Sequence, residues 1–151
     1  MQGSQSGTSS KRLTRYTDYA FRVLFHVAVN DGRPVPIAEI ARTYDISQNH
    51  LVKVVHELVK TGYLRSIRGR SGGVLLARPA EQIGLGEVVR HTEPDMRLLD
   101  CVGCLIASAC SLPRPMQEAI NAFVEVLDKY TLADIVNESD GLERILAGTR
   151  D

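Results

Sequence analysis

The stretch Ser47-Gln-Asn-His-Leu-Val-Lys-Val-Val-His-Glu-Leu-Val-Lys-Thr-Gly62, continued without a break by Tyr63-Leu-Arg-Ser-Ile-Arg-Gly-Arg-Ser-Gly-Gly-Val-Leu-Leu-Ala-Arg78, decides the fold. In its first half Leu51, Val54, Val55, Leu58 and Val59 recur at helical spacing, while Gln48, Asn49, His50, Lys53 and Lys60 fall on the other face. Ser47 is a good N-cap and Gly62 stands where a helix C-terminal glycine belongs, so a helix is predicted from about Gln48 to Thr61. The second half sets two β-capable runs around a Gly- and Arg-rich tip, which predicts a hairpin stopped by Pro79. Upstream, Pro36 suits the first position of a short helix with Ile37, Ile40 and Ala41 inside, broken at Tyr44-Asp45-Ile46. Two short helices joined by a tight turn form a helix-turn-helix, and a basic hairpin directly after it makes a winged helix.

Working outward, Phe21, Leu24, Phe25 and Ala28 mark one face of a further helix, with Thr17 as its cap and Asp18 at its positive end. A short helix is predicted over 85–92, and an irregular stretch over 93–111 holds all three cysteines. Pro113 and Pro115 introduce a long helix to about Tyr130. Along it Met116, Ile120, Phe123, Leu127 and Tyr130 are spaced 4, 3, 4 and 3, a coiled-coil-like seam. A winged domain already has a core, so this dimerisation seam is assigned to a second copy of the chain, with packing on its own domain as the alternative. The expected class is mainly α with a small β-hairpin wing. The expected divisions are a flexible tail over 1–10, a winged helix-turn-helix over 11–79, a connector and cysteine loop over 80–111, and a dimerisation helix with acidic tail over 112–151.

The 151 residues are 44% apolar and 24% charged, enough for a packed core. No apolar run approaches the ~20 residues that span a bilayer, and Met1–Ser10 lacks the apolar centre of a signal peptide, so a cytoplasmic protein without membrane contact is expected. The zero net charge conceals a division: residues 11–78 hold twelve Lys and Arg against five Asp and Glu, a net of +7, and the remainder carries −7. A basic half of this kind suits double-stranded DNA. Gln48, Asn49 and His50 occupy the base-reading end of the recognition helix, where Asn and Gln can bond adenine through two contacts, and Lys53 can reach base or phosphate. Arg65, Arg68, Arg70 and Ser71 give the wing contacts for phosphates or a minor groove. No enzyme is expected: His26, His50, His56 and His91 lie on separate elements, and no catalytic motif is present. The reading from a different class is an adaptor using the seam helix, which salt-dependent DNA binding would exclude.

Cys101, Cys104 and Cys110 lie within ten residues. Thiolates this close in a reducing compartment suggest a metal or iron–sulfur site. Three ligands are one short of a closed tetrahedral zinc site, for which His91 or Asp100 stands nearby. A disulfide switch needs only two thiols, and buried cysteine also packs as a small hydrophobe.

Several stretches carry a resemblance: Arg12-Leu-Thr-Arg-Tyr-Thr-Asp18-Tyr-Ala, Ile46-Ser-Gln-Asn-His-Leu-Val-Lys53, Gly62-Tyr-Leu-Arg-Ser-Ile-Arg-Gly-Arg-Ser-Gly-Gly73, the cysteine segment, and Phe123-Val-Glu-Val-Leu-Asp-Lys-Tyr-Thr-Leu-Ala-Asp-Ile-Val136. Over about residues 11–137 the chain resembles the iron–sulfur winged-helix transcription regulators of bacteria, the family of IscR and NsrR. Its Asn-His-Leu-Val-Lys and Tyr-Thr-Leu-Ala-Asp runs look most like the family's nitric-oxide sensors. The resemblance implies a cytoplasmic homodimer crossed at the long helix, repressing transcription at a DNA operator. It implies a cluster held by Cys101, Cys104 and Cys110, with nitric oxide as the signal. In the [4Fe–4S] nitric-oxide sensors the fourth ligand is an aspartate from the partner subunit, and the matching position here is Asp18, which also suits a plain helix N-terminal acid. In [2Fe–2S] members a histidine follows the last cysteine by three residues; Pro113 stands there, which favours [4Fe–4S]. Only two residues separate Cys101 from Cys104, fewer than is usual in the family. That departure keeps a thiol-based redox or iron-responsive repressor as the alternative.

Overall fold

The computed structural model describes residues 12–147; the tail expected over 1–10 lies outside the described residues. Helix α1 runs Arg15–Val29 and is capped by Thr14, whose hydroxyl accepts the Thr17 N–H at 3.3 Å. It begins before the expected cap, and Thr17 is buried in its first turn. The cause is tertiary: the Glu93 carboxylate holds the Thr14 backbone N–H (2.9 Å) and its hydroxyl. The inward stripe is Ala20, Val23, Leu24 and Val27, rotated by one residue from the expected face. Phe21 and Phe25 stack at its rim, 5.8 Å apart.

Helix α2 (Ile37–Tyr44) follows, with Pro36 at the N-cap, and α3 (Gln48–Lys60) comes after a tight turn. Asp45 adopts a left-handed φ of 52°, which short polar residues tolerate, and the Ile46 N–H reaches back to the Ala41 carbonyl at 2.9 Å. Helix α3 buries Leu51, Val54, Val55 and Leu58. It ends at Gly62, whose φ of 89° lets Tyr63 donate to the Leu58 carbonyl at 2.9 Å.

The wing is an antiparallel pair, β1 (Leu64–Ile67) and β2 (Gly73–Leu76), in register from Leu64↔Leu76 to Ile67↔Gly73. Val35, between the two prolines, extends it by exchanging both backbone bonds with Val74 at 2.9 Å. That approach needs Gly73: a Cβ there would lie 2.4 Å from the Val35 carbonyl carbon.

A 3₁₀ turn (Ala80–Gln82) leads to α4 (Leu85–Thr92), the helix expected there. The long helix α5 spans Pro113–Leu127, so Tyr130 lies beyond its end. Then come α6 (Leu132–Glu138), closed by a Thr131–Asp134 capping box, and α7 (Asp140–Ala147). The core continues past residue 79. Ile83, Val88 and Leu132 join Leu24, Ile40, Leu51, Leu58 and Val74 in one apolar cluster, and α6 and α7 pack on α1. The Leu132 N–H donates to the Ile83 carbonyl (2.8 Å), and the Leu85 N–H to that of Tyr130 (3.0 Å). The fold is mainly α, a winged helix-turn-helix with a two-stranded wing and a long helix after it.

Candidate functional site

Helix α3 packs against α1, α2 and β1, which leaves its opposite face to water. Gln48, Asn49, His50 and Lys53 all lie on that exposed face. Arg65, Arg68, Arg70 and Ser71 are likewise exposed along β1 and the wing tip, where the Gly72 N–H donates to the Gly69 carbonyl at 3.0 Å. Among the described residues, none of Lys53, Lys60, Arg65, Arg68 and Arg70 forms an ion pair. Some cations elsewhere do, Arg22 with Asp18, Arg33 with Glu39, Arg78 with Glu87 and Arg90 with Asp128, while among the described residues Arg15, Arg42, Arg114 and Lys129 do not. The outer face of α3 and the wing thus present exposed basic side chains without an ion-pair partner among the described residues.

Two polar networks hold this surface in place. In the first, the buried His26 of α1 bonds Glu39 of α2 through Nε2 at 2.9 Å, and Arg33 grips both Glu39 oxygens at 3.1 and 3.0 Å. Burial pushes the Glu39 carboxyl up, but the hydrogen bonds from Arg33 and His26 outweigh it and hold it below its ordinary range. Its stabilising effect is therefore present above the usual glutamate value and is lost as pH falls through the lowered one. In the second, Arg78 leaves the wing over the Tyr63 ring, 5.0 Å from its centroid, and pairs with Glu87 of α4. The hydrogen bond from Arg78 is the main influence keeping the Glu87 carboxyl low. Sequence reasoning counted Arg78 only as a charge, since nothing local links it to position 87.

The three cysteines are free thiols on the loop between α4 and α5, Cys101 and Cys104 exposed and Cys110 half-buried. Successive turns carry them: the Cys104 N–H donates to the Cys101 carbonyl (3.2 Å) and the Cys110 N–H to that of Ile106 (2.9 Å). Three soft thiolate donors fit the chemistry of an iron–sulfur cluster. The described residues of a single chain do not bring three such donors together as a metal-binding group. Asp18 is exposed on the first turn of α1, where Arg22 grips its two oxygens at 3.0 and 3.1 Å. Several of the loop's apolar side chains face water, with Val102 85% and Leu105 97% exposed.

Glu93, at the root of this loop, went unnoticed in the sequence. It is buried, and its carboxylate accepts from the Thr14 N–H and from the Thr14 and Thr17 hydroxyls. The first turn of α1 is thereby tied to the start of the cysteine loop. The partners lie 79 and 76 residues apart in sequence, so no local signal marks them.

The expected seam on α5 divides. Ile120 turns inward with Val124 against α4, Met116 and Leu127 are half-buried, and Phe123 and Tyr130 are exposed. Arg90 of α4 clasps Asp128 with two 2.7 Å bonds, and a Cβ at Gly86 would lie 1.9 Å from Asp128 Oδ1, so a side chain there would push the Asp128 carboxylate out of its present position. The outward apolar stripe is Leu112, Ala119, Phe123, Val126 and Tyr130.

The comparisons with known proteins agree with this arrangement. The family model Rrf2, described as an iron-dependent transcriptional regulator, matches residues 13–138. The chain is 44% identical over 142 residues to the HTH-type transcriptional regulator NsrR of Bacillus licheniformis, covering 90% of this chain and 99% of that protein. It is 44% identical over 141 residues to the NsrR of Bacillus subtilis, covering 89% and 97%. Among solved structures it is similar to CymR, the global cysteine regulator of B. subtilis, with a TM-score of 0.68 at 25% identity over 85% of this chain and 98% of that one. It is also similar to T. potens IscR, with a TM-score of 0.68 at 27% identity over 85% and 88%. The family and the named relatives are transcriptional regulators, not enzymes, as the sequence led us to expect. With the winged helix and a family match over most of its length, the chain belongs to the Rrf2 family of transcriptional regulators.

Proposed function

We propose that this chain is a cytoplasmic, homodimeric repressor whose operator binding is gated by an iron–sulfur cluster and released by nitric oxide. The observation that carries the DNA reading is the group of unpaired cations beside the exposed polar turn of α3. Cys101, Cys104 and Cys110 hold the cluster, with Asp18 of the partner subunit as fourth ligand and [4Fe–4S] favoured over [2Fe–2S]. When bound, the cluster supplies iron and sulfide as the target of nitric oxide. The chain's own residues transmit the change. Glu93 fixes the root of the cysteine loop to the first turn of α1, and α1 packs on α3. Movement of the loop therefore reaches the recognition helix through one buried carboxylate. Asp18 must leave Arg22 to serve as a ligand, which makes Arg22 a competitor for it.

Dimer formation is assigned to the outward face of α5, where Phe123 and Val126 are exposed. Phe123→Asp is expected to turn the dimer into a monomer by sedimentation; a variant that stays dimeric places the interface elsewhere.

The test of the whole reading uses full-length protein purified without oxygen. Iron and sulfide are assayed, duplex binding is followed across salt, and nitric oxide is then titrated in. Broad absorption near ~400 nm, about four irons per subunit and loss of specific binding on nitric oxide addition support it. Lys53→Ala and Arg68→Ala are each expected to flatten the slope of log affinity against log salt by about 1.8, the share of one phosphate contact from each of the two subunits. An unchanged slope removes that residue from the interface. A colourless protein that still binds DNA and forms a disulfide on oxidation points instead to the thiol-based alternative, which the exposed thiols of Cys101 and Cys104 favour.

A further inference from the structure

The face that α3 turns to water is not wholly polar. Val52 is 44% exposed at its centre, one turn after Gln48 and Asn49 and one turn before His56. Over residues 12–92 the only other large hydrophobic exposed to this degree is Leu13, which lines the cleft beside Leu98 and Phe123. The rest lie beyond residue 97. Val52 is therefore the one large apolar side chain exposed to this degree from α2 through the wing, and it lies among the candidate base-reading residues.

Neither local structure nor packing accounts for it. A β-branched residue gains nothing over alanine on an exposed helix face, where its restricted χ1 is a slight disadvantage. The apolar side of α3 is already supplied by Leu51, Val54, Val55 and Leu58. A valine cannot donate to or accept from a base edge or a phosphate. The one feature of a major groove that it complements is the 5-methyl group of thymine, which cytosine lacks. Its stiff isopropyl group is well suited to such a contact, since little rotamer freedom is lost on binding.

We propose that Val52 reads a thymine methyl in the operator, discriminating thymine from cytosine beside the bases contacted by Gln48 and Asn49. The inference rests on the DNA-binding reading above. Val52 lies about 6 Å along the helix from Gln48, so the thymine falls within about two base pairs of the base read there.

The test begins with a duplex selected from a random library by the full-length, anaerobically purified protein. Each thymine of that duplex is then replaced in turn by uracil, which removes only the methyl group. For the unsubstituted protein, one thymine per half-site is expected to lose about fourfold in affinity, the size of one buried methyl contact. Val52→Ala is expected to bind the thymine duplex more weakly and to be indifferent to uracil at that position alone. Its salt slope should match that of the parent chain, because no phosphate contact is removed. If Val52→Ala keeps the parent's full pattern of uracil sensitivity, or if no thymine is sensitive in the parent, the inference is overturned while the selected duplex still establishes DNA binding. If selection enriches no duplex, the DNA-binding reading fails and this inference fails with it.

Discussion

Leu132→Ala lowers the stability of the folded chain by about 3 kcal/mol, within the range of ~2–5 for truncating a buried leucine. Leu132 is fully buried, sits in the same apolar cluster as Leu24 and Val88, and opens α6 directly after the Thr131 cap. Truncation there removes transfer energy and leaves a hole between elements that cannot collapse freely, since backbone bonds pin the Leu132 N–H to Ile83 and the Tyr130 carbonyl to Leu85. Urea or thermal unfolding at fixed protein concentration measures the effect, with a melting-point drop of roughly 6–12 °C for a chain of this size. A change below about 1 kcal/mol would be that of a surface leucine, and would mean that α6 does not dock on α1 in solution.

Cys104→Ser is the second large effect, on function rather than folding. Cys104 is exposed, so the serine disturbs no packing, but it replaces a soft thiolate with a hard and weakly acidic hydroxyl. The variant purified without oxygen is expected to lose most of its iron and its absorption near ~400 nm. Operator affinity is expected to fall by at least tenfold, which is ~1.4 kcal/mol of coupling between the cysteine loop and α3. Iron loss with operator binding unchanged would separate the cluster from DNA control and leave Glu93 a purely structural clamp. Full iron retention would remove Cys104 from the ligand set.

Much of the helix-turn-helix and wing was legible because its signals are local. The apolar spacing through Leu51, Val54, Val55 and Leu58 marks the inward face of one helix, and the polar turn at Gln48–His50 is its complement. The hairpin around Gly69 and the helix over 85–92 were also visible, since turn glycines and short apolar periods act within a few residues. Where local reading erred, a distant group had intervened. Helix α1 starts at Arg15 because Glu93 holds Thr14, and α5 stops at Leu127 so that Tyr130 can accept from Leu85.

The sequence by itself determined a winged helix, a polar outward first turn of α3, a basic wing and three thiols on one loop. Each is a property of residues close along the chain, where spacing alone dictates geometry. The tertiary structure decided the rest. It turned Ile120 toward α4 and left Phe123 and Tyr130 outward, although all three share one apolar pattern. It placed Leu132 in the core of the DNA-binding half, paired Val35 with Val74, and tied Glu93 to Thr14 and Thr17 across more than seventy residues. A buried carboxylate or an apolar side chain is chemically compatible with many partners, and only closure of the long loops between elements selects one.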